Sequence, residues 1–363
     1  MKKNIFIIFL FTANSLFSQQ LSPGFSKQEY ITLLKISARQ HNVKSDSTDS
    51  LAYTRTYKSP EMGLRNQWEL WTANNNVAVI NVRGTVSDFV SWLANFYAAM
   101  VPAKGSLQLE KNYKFDYNLS DDPKAAVHTG WLIGTGMLVR DMLPKLDSMY
   151  VNGTKNFYIM GHSQGGAIAY LLTSHLYYLR STGRIPADVI FKTYCSAAPK
   201  PGNLFYAYEY ESMTSGGWAY NVVNTSDWVP EMPVTVQTSD DYNSVNPFVN
   251  ALPVIKKQKF VQRFILLRAY KRLSRGPRKS QQEYQNILGE KVFRFVQQSM
   301  PEFEKPEYFN SINYVRTGKT IVLVPGDDYK KAFPEDKNKL FMHHLFDPYL
   351  YLVNKLDESN IAE

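Results

Sequence analysis

The chain holds a single cysteine, Cys195, among its 363 residues. One thiol cannot build a disulfide framework, and the few cysteine and histidine side chains form no cluster at metal-ligand spacing. Beyond the N-terminus no run approaches the roughly 20 apolar residues that span a bilayer, so the mature chain reads as soluble or peripheral to a membrane. Internal repeats and low-complexity tracts are also missing, which sets aside solenoids and arrays.

What is present suits one large α/β domain or two small ones, since 44% of residues are hydrophobic and a sizeable core can form. The net charge of +9 suggests an anionic partner, either nucleic acid or a phospholipid surface, and charge alone does not choose between them. Met1-Lys2-Lys3 followed by the apolar stretch Ile5 to Phe11, with Ser15-Leu16-Phe17-Ser18 before Gln19, reads as a cleavable secretory signal over residues 1–19. It contains no cysteine for a lipid anchor. The expectation is export, secreted or periplasmic, of a single domain spanning residues 20–363.

The most informative stretch runs from Asn156 to Leu179. Phe157-Tyr158-Ile159 suits a buried strand, and Ile168, Leu171, Leu172, Leu176 and Leu179 fall on one face of a helix. Between them lies Gly161-His162-Ser163-Gln164-Gly165. A sharp strand-to-helix turn that lifts a serine above a sheet needs minimal side chains two residues before and after it. Gly161 and Gly165 meet that need, and the context is that of a nucleophile elbow.

Upstream, strands are expected at Tyr53–Tyr57, Gln67–Thr72 and Val77–Val82, the last running into Arg83-Gly84-Thr85. A polar residue after a glycine at a strand end can serve an oxyanion hole. Thr85 offers its N–H and hydroxyl, and the N–H of Gln164 is the second donor. Asp88–Met100 is an expected helix, read as a packing helix with a flap over the site as the alternative. His128 opens a long helix from about Trp131 to Met149 and reads as structural. Strands at Ile190–Tyr194 and Tyr220–Val223 complete an alternation that implies a parallel sheet. In α/β-hydrolases the acid follows the nucleophile and the histidine comes last. Asp227 follows a strand and is the preferred acid, with Asp240 and Asp241 as fallback. Chain order restricts the base to His343 or His344. Asp327-Asp328 reads as part of a turn beside Pro325-Gly326.

From about Asp240 to Pro306 the character changes, with Lys256, Lys257, Lys259, Arg263, Arg268, Lys271, Arg272, Arg275, Arg278 and Lys279 interleaved with Phe260, Phe264, Leu267 and Tyr270. This is a basic amphipathic helix. The first expectation is a cap helix with its apolar side on the core and its basic face in water. Contact of Lys256–Lys279 with an anionic lipid surface is the alternative, and nucleic acid is not expected because no nucleic-acid module accompanies the charge.

These residues together resemble the class 3, fungal-type lipase family over roughly Val77 to Val353. Val82-Arg83-Gly84-Thr85 is similar to its oxyanion strand, Val127-His128-Thr129-Gly130 to its valine-histidine-x-glycine helix start, and Met160 to Gly166 to its elbow. Pro199, Gly202, Asn203 and Phe205 match positions after the next strand, and Val222 to Asp227 with Val229-Pro230 resembles its acid loop. The spacing from His344 to Tyr349-Leu350 resembles that of many members, and this selects His344 over His343. Gln164 departs from the family's usual leucine, and the basic insertion does not map onto the family's short lid. The resemblance implies an α/β-hydrolase with a mostly parallel central sheet flanked by helices, a helical insertion after the acid loop, and hydrolysis of lipid acyl esters. Ser163 would be nucleophile, His344 base and Asp227 acid, with Thr85 and Gln164 binding the oxyanion and no metal or organic cofactor needed. Carbohydrate-ester or feruloyl-type esterases, phospholipases and a non-catalytic lipid-binding protein remain the alternatives.

Overall fold

The Val77–Val82 run, Val-Ala-Val-Ile-Asn-Val, is buried along its whole length, as an interior strand covered on both faces must be. It lies in a seven-stranded sheet of the computed structural model, which describes residues 21–42 and 52–360. The expected signal at 1–19 falls outside the described residues. Across the sheet the strands run Thr54–Lys58, Trp68–Thr72, Val77–Val82, Asn156–His162, Ile190–Ser196, Ala219–Asn224 and Lys319–Leu323. The first two pairings, which join the first three strands, are antiparallel and the other four are parallel.

The helices are α1 Lys27–Gln40, α2 Phe89–Phe96, α3 Thr129–Val151, α4 Gln164–Ser181, α5 Leu204–Met213, α6 Ala251–Lys256, α7 Phe260–Gln285, α8 Val292–Ser299, α9 Asp327–Ala332 and α10 Phe346–Lys355. Four of them cover the sheet in two layers. Leu132, Leu138, Ile168, Leu171 and Leu172 of α3 and α4 pack with Ile80, Val82 and Ile159 on one face. Tyr30, Leu34, Tyr349 and Val353 of α1 and α10 pack with Val79, Met160 and Val222 on the other. A mostly parallel sheet sandwiched between helices, with a serine at a strand-to-helix turn in its centre, is the α/β-hydrolase arrangement.

Several elements differ from the sequence reading. The edge strand Lys319–Leu323 was not expected, nor were the Lys104–Glu110 and Tyr113–Asn118 hairpin and the small sheet built on Met100–Pro102, Ala126–His128, Gly202–Asn203 and Tyr314–Val315. Asp327 and Asp328 do not form a turn but the first turn of α9, where carboxylates suit the positive end of the helix dipole. In the insertion, the expected packing of the apolar side of α7 is also corrected. Leu267 and Tyr270 are half-buried, but Phe260 is 86% and Phe264 60% exposed. The segment that does pack is α8, whose Val296 is fully buried in the main core. As for α2, Leu93 and Ala94 are buried, while Trp92 and Phe96 line the cavity above the sheet. The helix therefore packs and roofs at once.

Candidate active site

Ser163 has backbone angles φ 61° and ψ −130°, a conformation disfavoured for any side chain. Two glycines permit it. A Cβ on Gly161 would sit 2.2 Å from the carbonyl carbon of Gly165, and one on Gly165 would sit 2.2 Å from the Val82 oxygen. The turn is held by the Ser163 N–H donating to the Ser196 carbonyl at 2.9 Å, and Gln164 then opens α4.

Above this turn the Ser163 Oγ lies 2.8 Å from His344 Nε2, and His344 Nδ1 lies 2.7 Å from Asp227 Oδ2. The carboxylate side chain is fully buried, so its charge needs donors. It receives three: His344 Nδ1–H, the Tyr349 hydroxyl at 2.8 Å on the same oxygen, and the Val229 N–H at 3.0 Å on the other. Burial pushes the Tyr349 hydroxyl well above its ordinary pKa, so it stays a neutral donor. A serine hydroxyl hydrogen-bonded to an imidazole that is itself fixed by a carboxylate can be deprotonated as it attacks an acyl carbon.

The histidine loop is tied to the elbow by His162. Its Nε2 lies 2.8 Å from the His344 carbonyl, which can only accept, so Nε2 carries the proton. Nδ1 therefore accepts from the Ser196 hydroxyl at 3.0 Å, and Ser196 accepts from the Tyr30 hydroxyl at 2.7 Å. Burial, reinforced by the neighbouring His344, holds His162 well below its ordinary pKa and keeps it neutral.

On the oxyanion side, Gln164 has its N–H in the first turn of α4, where no intrahelical acceptor exists. Thr85 presents a different arrangement from the one expected. Its hydroxyl donates to the Gln164 side-chain Oε1 at 2.8 Å and accepts from Asn95 Nδ2 at 2.9 Å. Asn95 is oriented in turn by the Trp131 indole N–H at 3.0 Å. The preceding Gly84 donates its N–H to His41 Nε2 at 3.2 Å. Burial, and to a lesser degree the neighbouring Arg83 and His344, lower His41 to a pKa of about 4, so it is a neutral acceptor.

Other candidates lie elsewhere. His343 Nδ1 is bonded to the Tyr329 hydroxyl at 2.8 Å and takes no part in the serine relay. Asp241 accepts from Thr238 and Ser311, and Asp240 pairs with Arg278. His128 stacks on Trp131 at 3.6 Å, with burial pushing it down to about 3. Sequence reasoning missed His41 and Asn95, which lie far along the chain from the serine and have no local signature. Tyr349 was visible only as a spacing. Among the described residues no three His, Cys, Asp or Glu side chains converge as a metal site.

The serine opens into a cavity of about 440 Å³. Its walls are mostly apolar, with Trp92, Phe96, Trp228, Met232, Leu288 and Phe341 the large contributors.

Comparison with known proteins places a match to the family described as Lipase (class 3) on residues 79–237. A curated relative, the secreted mono- and diacylglycerol lipase 1 of Fusarium solani, is 29% identical over 178 residues, covering 46% of this chain and 50% of that protein. The chain thus spans about half the length of the relative it matches. Among solved structures, the Rhizomucor miehei triacylglyceride lipase is similar at 20% identity and a TM-score of 0.43, over 58% of this chain and 77% of its own. The lipase from Rhizopus microsporus var. chinensis gives 21% identity and 0.42, over 58% and 71%. The fold assignment rests on the sheet order and the turn geometry above.

Proposed function

We propose that this chain, which is similar to the class 3 lipase family through residues 79–237, is an exported serine hydrolase of lipid acyl esters. The observation that carries the reading is the continuous relay from Ser163 Oγ through His344 to Asp227. Ser163 attacks the ester carbonyl while His344 Nε2 takes its proton, and the carbonyl electrons move onto oxygen. The imidazolium returns the proton to the departing alcohol as the C–O bond breaks. Water, deprotonated by the same nitrogen, then releases the acid and restores the serine. Asp227 stabilises the imidazolium, and the Gln164 N–H with Thr85 receives the oxyanion.

The mostly apolar cavity supports an acyl chain as the group bound, rather than a sugar or a phenolic ester. Export is supported by the basic and apolar N-terminal sequence and by a relative that is itself a secreted lipase. The test is labelling by a fluorophosphonate probe together with hydrolysis of emulsified long-chain esters. Labelling that is lost in Ser163→Ala, with long-chain esters preferred over feruloyl and acetyl-sugar esters, is the expected result. Absence of labelling in the parent chain would overturn it.

A further inference from the structure

Between Asp241 and Glu283 the chain carries ten lysines and arginines and no carboxylate. Among the described residues only Arg278 of the ten forms an ion pair, with Asp240. This same stretch contains an unusual amount of uncovered apolar surface. Phe260, Val261, Phe264 and Ile265, the opening turns of α7, are all exposed, as are Leu252 and Val254 of the contacting helix α6. Two helices whose apolar side chains point into water, in a segment that also repels itself electrostatically, lack the partner that would make this conformation favourable.

Position along α7 divides the chemistry. Its first two turns are mostly apolar, with Arg263 the one charge within them and Lys256, Lys257 and Lys259 just before, and Arg268, Lys271, Arg272, Arg275, Arg278 and Lys279 follow in its middle and end. Its far end reaches the substrate cavity, where Tyr284 and, just beyond, Leu288 contribute to the wall. At 1.5 Å per residue the 24 steps from Phe260 to Tyr284 span about 36 Å. The exposed tip is therefore too distant to be part of the acyl site. It is a tether whose root lies at the pocket.

We propose that the α6–α7 hairpin docks the protein on an anionic phospholipid surface, with its apolar tip at the headgroup–acyl boundary and its basic middle against the headgroups. This deepens the reading of the chain as a lipid ester hydrolase by naming the surface that presents the substrate. Charge decides between the occupants. A second copy meeting the same patch would bring two strongly cationic segments together, and nucleic acid offers nothing to a tip of phenylalanine, valine and isoleucine. An anionic bilayer satisfies both the apolar tip and the cationic length. The docking proposed is peripheral, and no helix among the described residues is long and apolar enough to cross a membrane.

The experiment is flotation of the Ser163→Ala chain, which leaves the vesicles intact, with phosphatidylcholine vesicles and with vesicles also containing about one-third phosphatidylglycerol. Binding to the anionic vesicles should exceed that to the neutral ones and should weaken as salt rises. Adding Arg268→Gln, Lys271→Gln, Arg272→Gln and Arg275→Gln should lower partitioning about 10³-fold. Adding instead Phe260→Ser and Phe264→Ser should lower it roughly tenfold per side chain. Both variants should melt at the parent's temperature, because the replaced side chains are exposed.

Equal binding to both vesicle types, undiminished binding by the charge variant, or early melting of both variants, which would mark the helix as packing, would each overturn the proposal. So would tighter retention on duplex DNA, or a dimer that these substitutions dissociate. Hydrolysis of a short soluble ester by the parent chain, without vesicles, tests the ester-hydrolase reading separately. Turnover without flotation sinks only the docking, and flotation without turnover sinks only the enzyme.

Discussion

The Thr85 hydroxyl gives its one proton to the Gln164 side chain, 2.8 Å away, and not to the space above Ser163. To bind an oxyanion through that hydroxyl, the proton must leave Gln164, and an exchanged hydrogen bond is worth less than a new one by about 1 kcal/mol. Thr85→Val should therefore lower kcat by roughly 10- to 10²-fold, below the 10²–10³ typical of a free donor. The same change in a Gln164→Leu background, where the hydroxyl has no competing acceptor, should cost more. Steady-state kinetics on a soluble ester across this double-mutant cycle checks the sign of the coupling.

The relay predicts a steep order of effects. Ser163→Ala and His344→Ala should each cost about 10⁶-fold in kcat, and Asp227→Asn about 10⁴-fold, with only the residual catalysis of the oxyanion site left. His343→Ala removes a bond to Tyr329, not to the serine, so its loss should be within about tenfold. Exchange of the two histidine phenotypes would reassign the base.

Tyr349→Phe takes one of three donors from a buried carboxylate. A hydrogen bond to a buried charge contributes roughly 1.5–3 kcal/mol, so urea unfolding should report a loss of that size at neutral pH. The accompanying drop in kcat should be smaller than that of Asp227→Asn.

His41 links pH to the oxyanion strand. Its pKa falls from 6.5 to about 4 on folding, chiefly through burial, so the native state favours the neutral ring. Its contribution to stability is fully present above pH 6.5, declines as pH falls, and is gone below about 4. The shift corresponds to roughly 3 kcal/mol. His41→Gln, which keeps an acceptor for the Gly84 N–H, should flatten the stability profile between those limits while retaining activity better than His41→Ala. Unfolding measured at several pH values distinguishes the two.

How much of this could be read from the sequence depended on whether the cause was local. The elbow was legible because Gly161 and Gly165 answer a steric demand within five residues, and Asp227 because it lies three residues past the end of a strand. The His41 contact to Gly84 and the Asn95 contact to Thr85 arise only once the strands have assembled. The Lys319–Leu323 strand escaped notice because an edge strand, only partly buried, shows neither clean alternation nor a continuous apolar run. At Asp327 the Pro-Gly turn signal outweighed a valid helix start. The insertion was legible in composition, but its burial was not. A spacing of apolar residues predicts that a helix has a face, not that anything covers it.

The left-handed backbone of Ser163 has a further consequence. A non-glycine residue in such a conformation costs on the order of 1–3 kcal/mol, and glycine at the same position would not incur it. Ser163→Gly should thus yield a protein that is inert and more heat-resistant. Under selection for durability alone, the chain would drift downhill by discarding its nucleophile. On the proposed reading, turnover is what keeps the serine there.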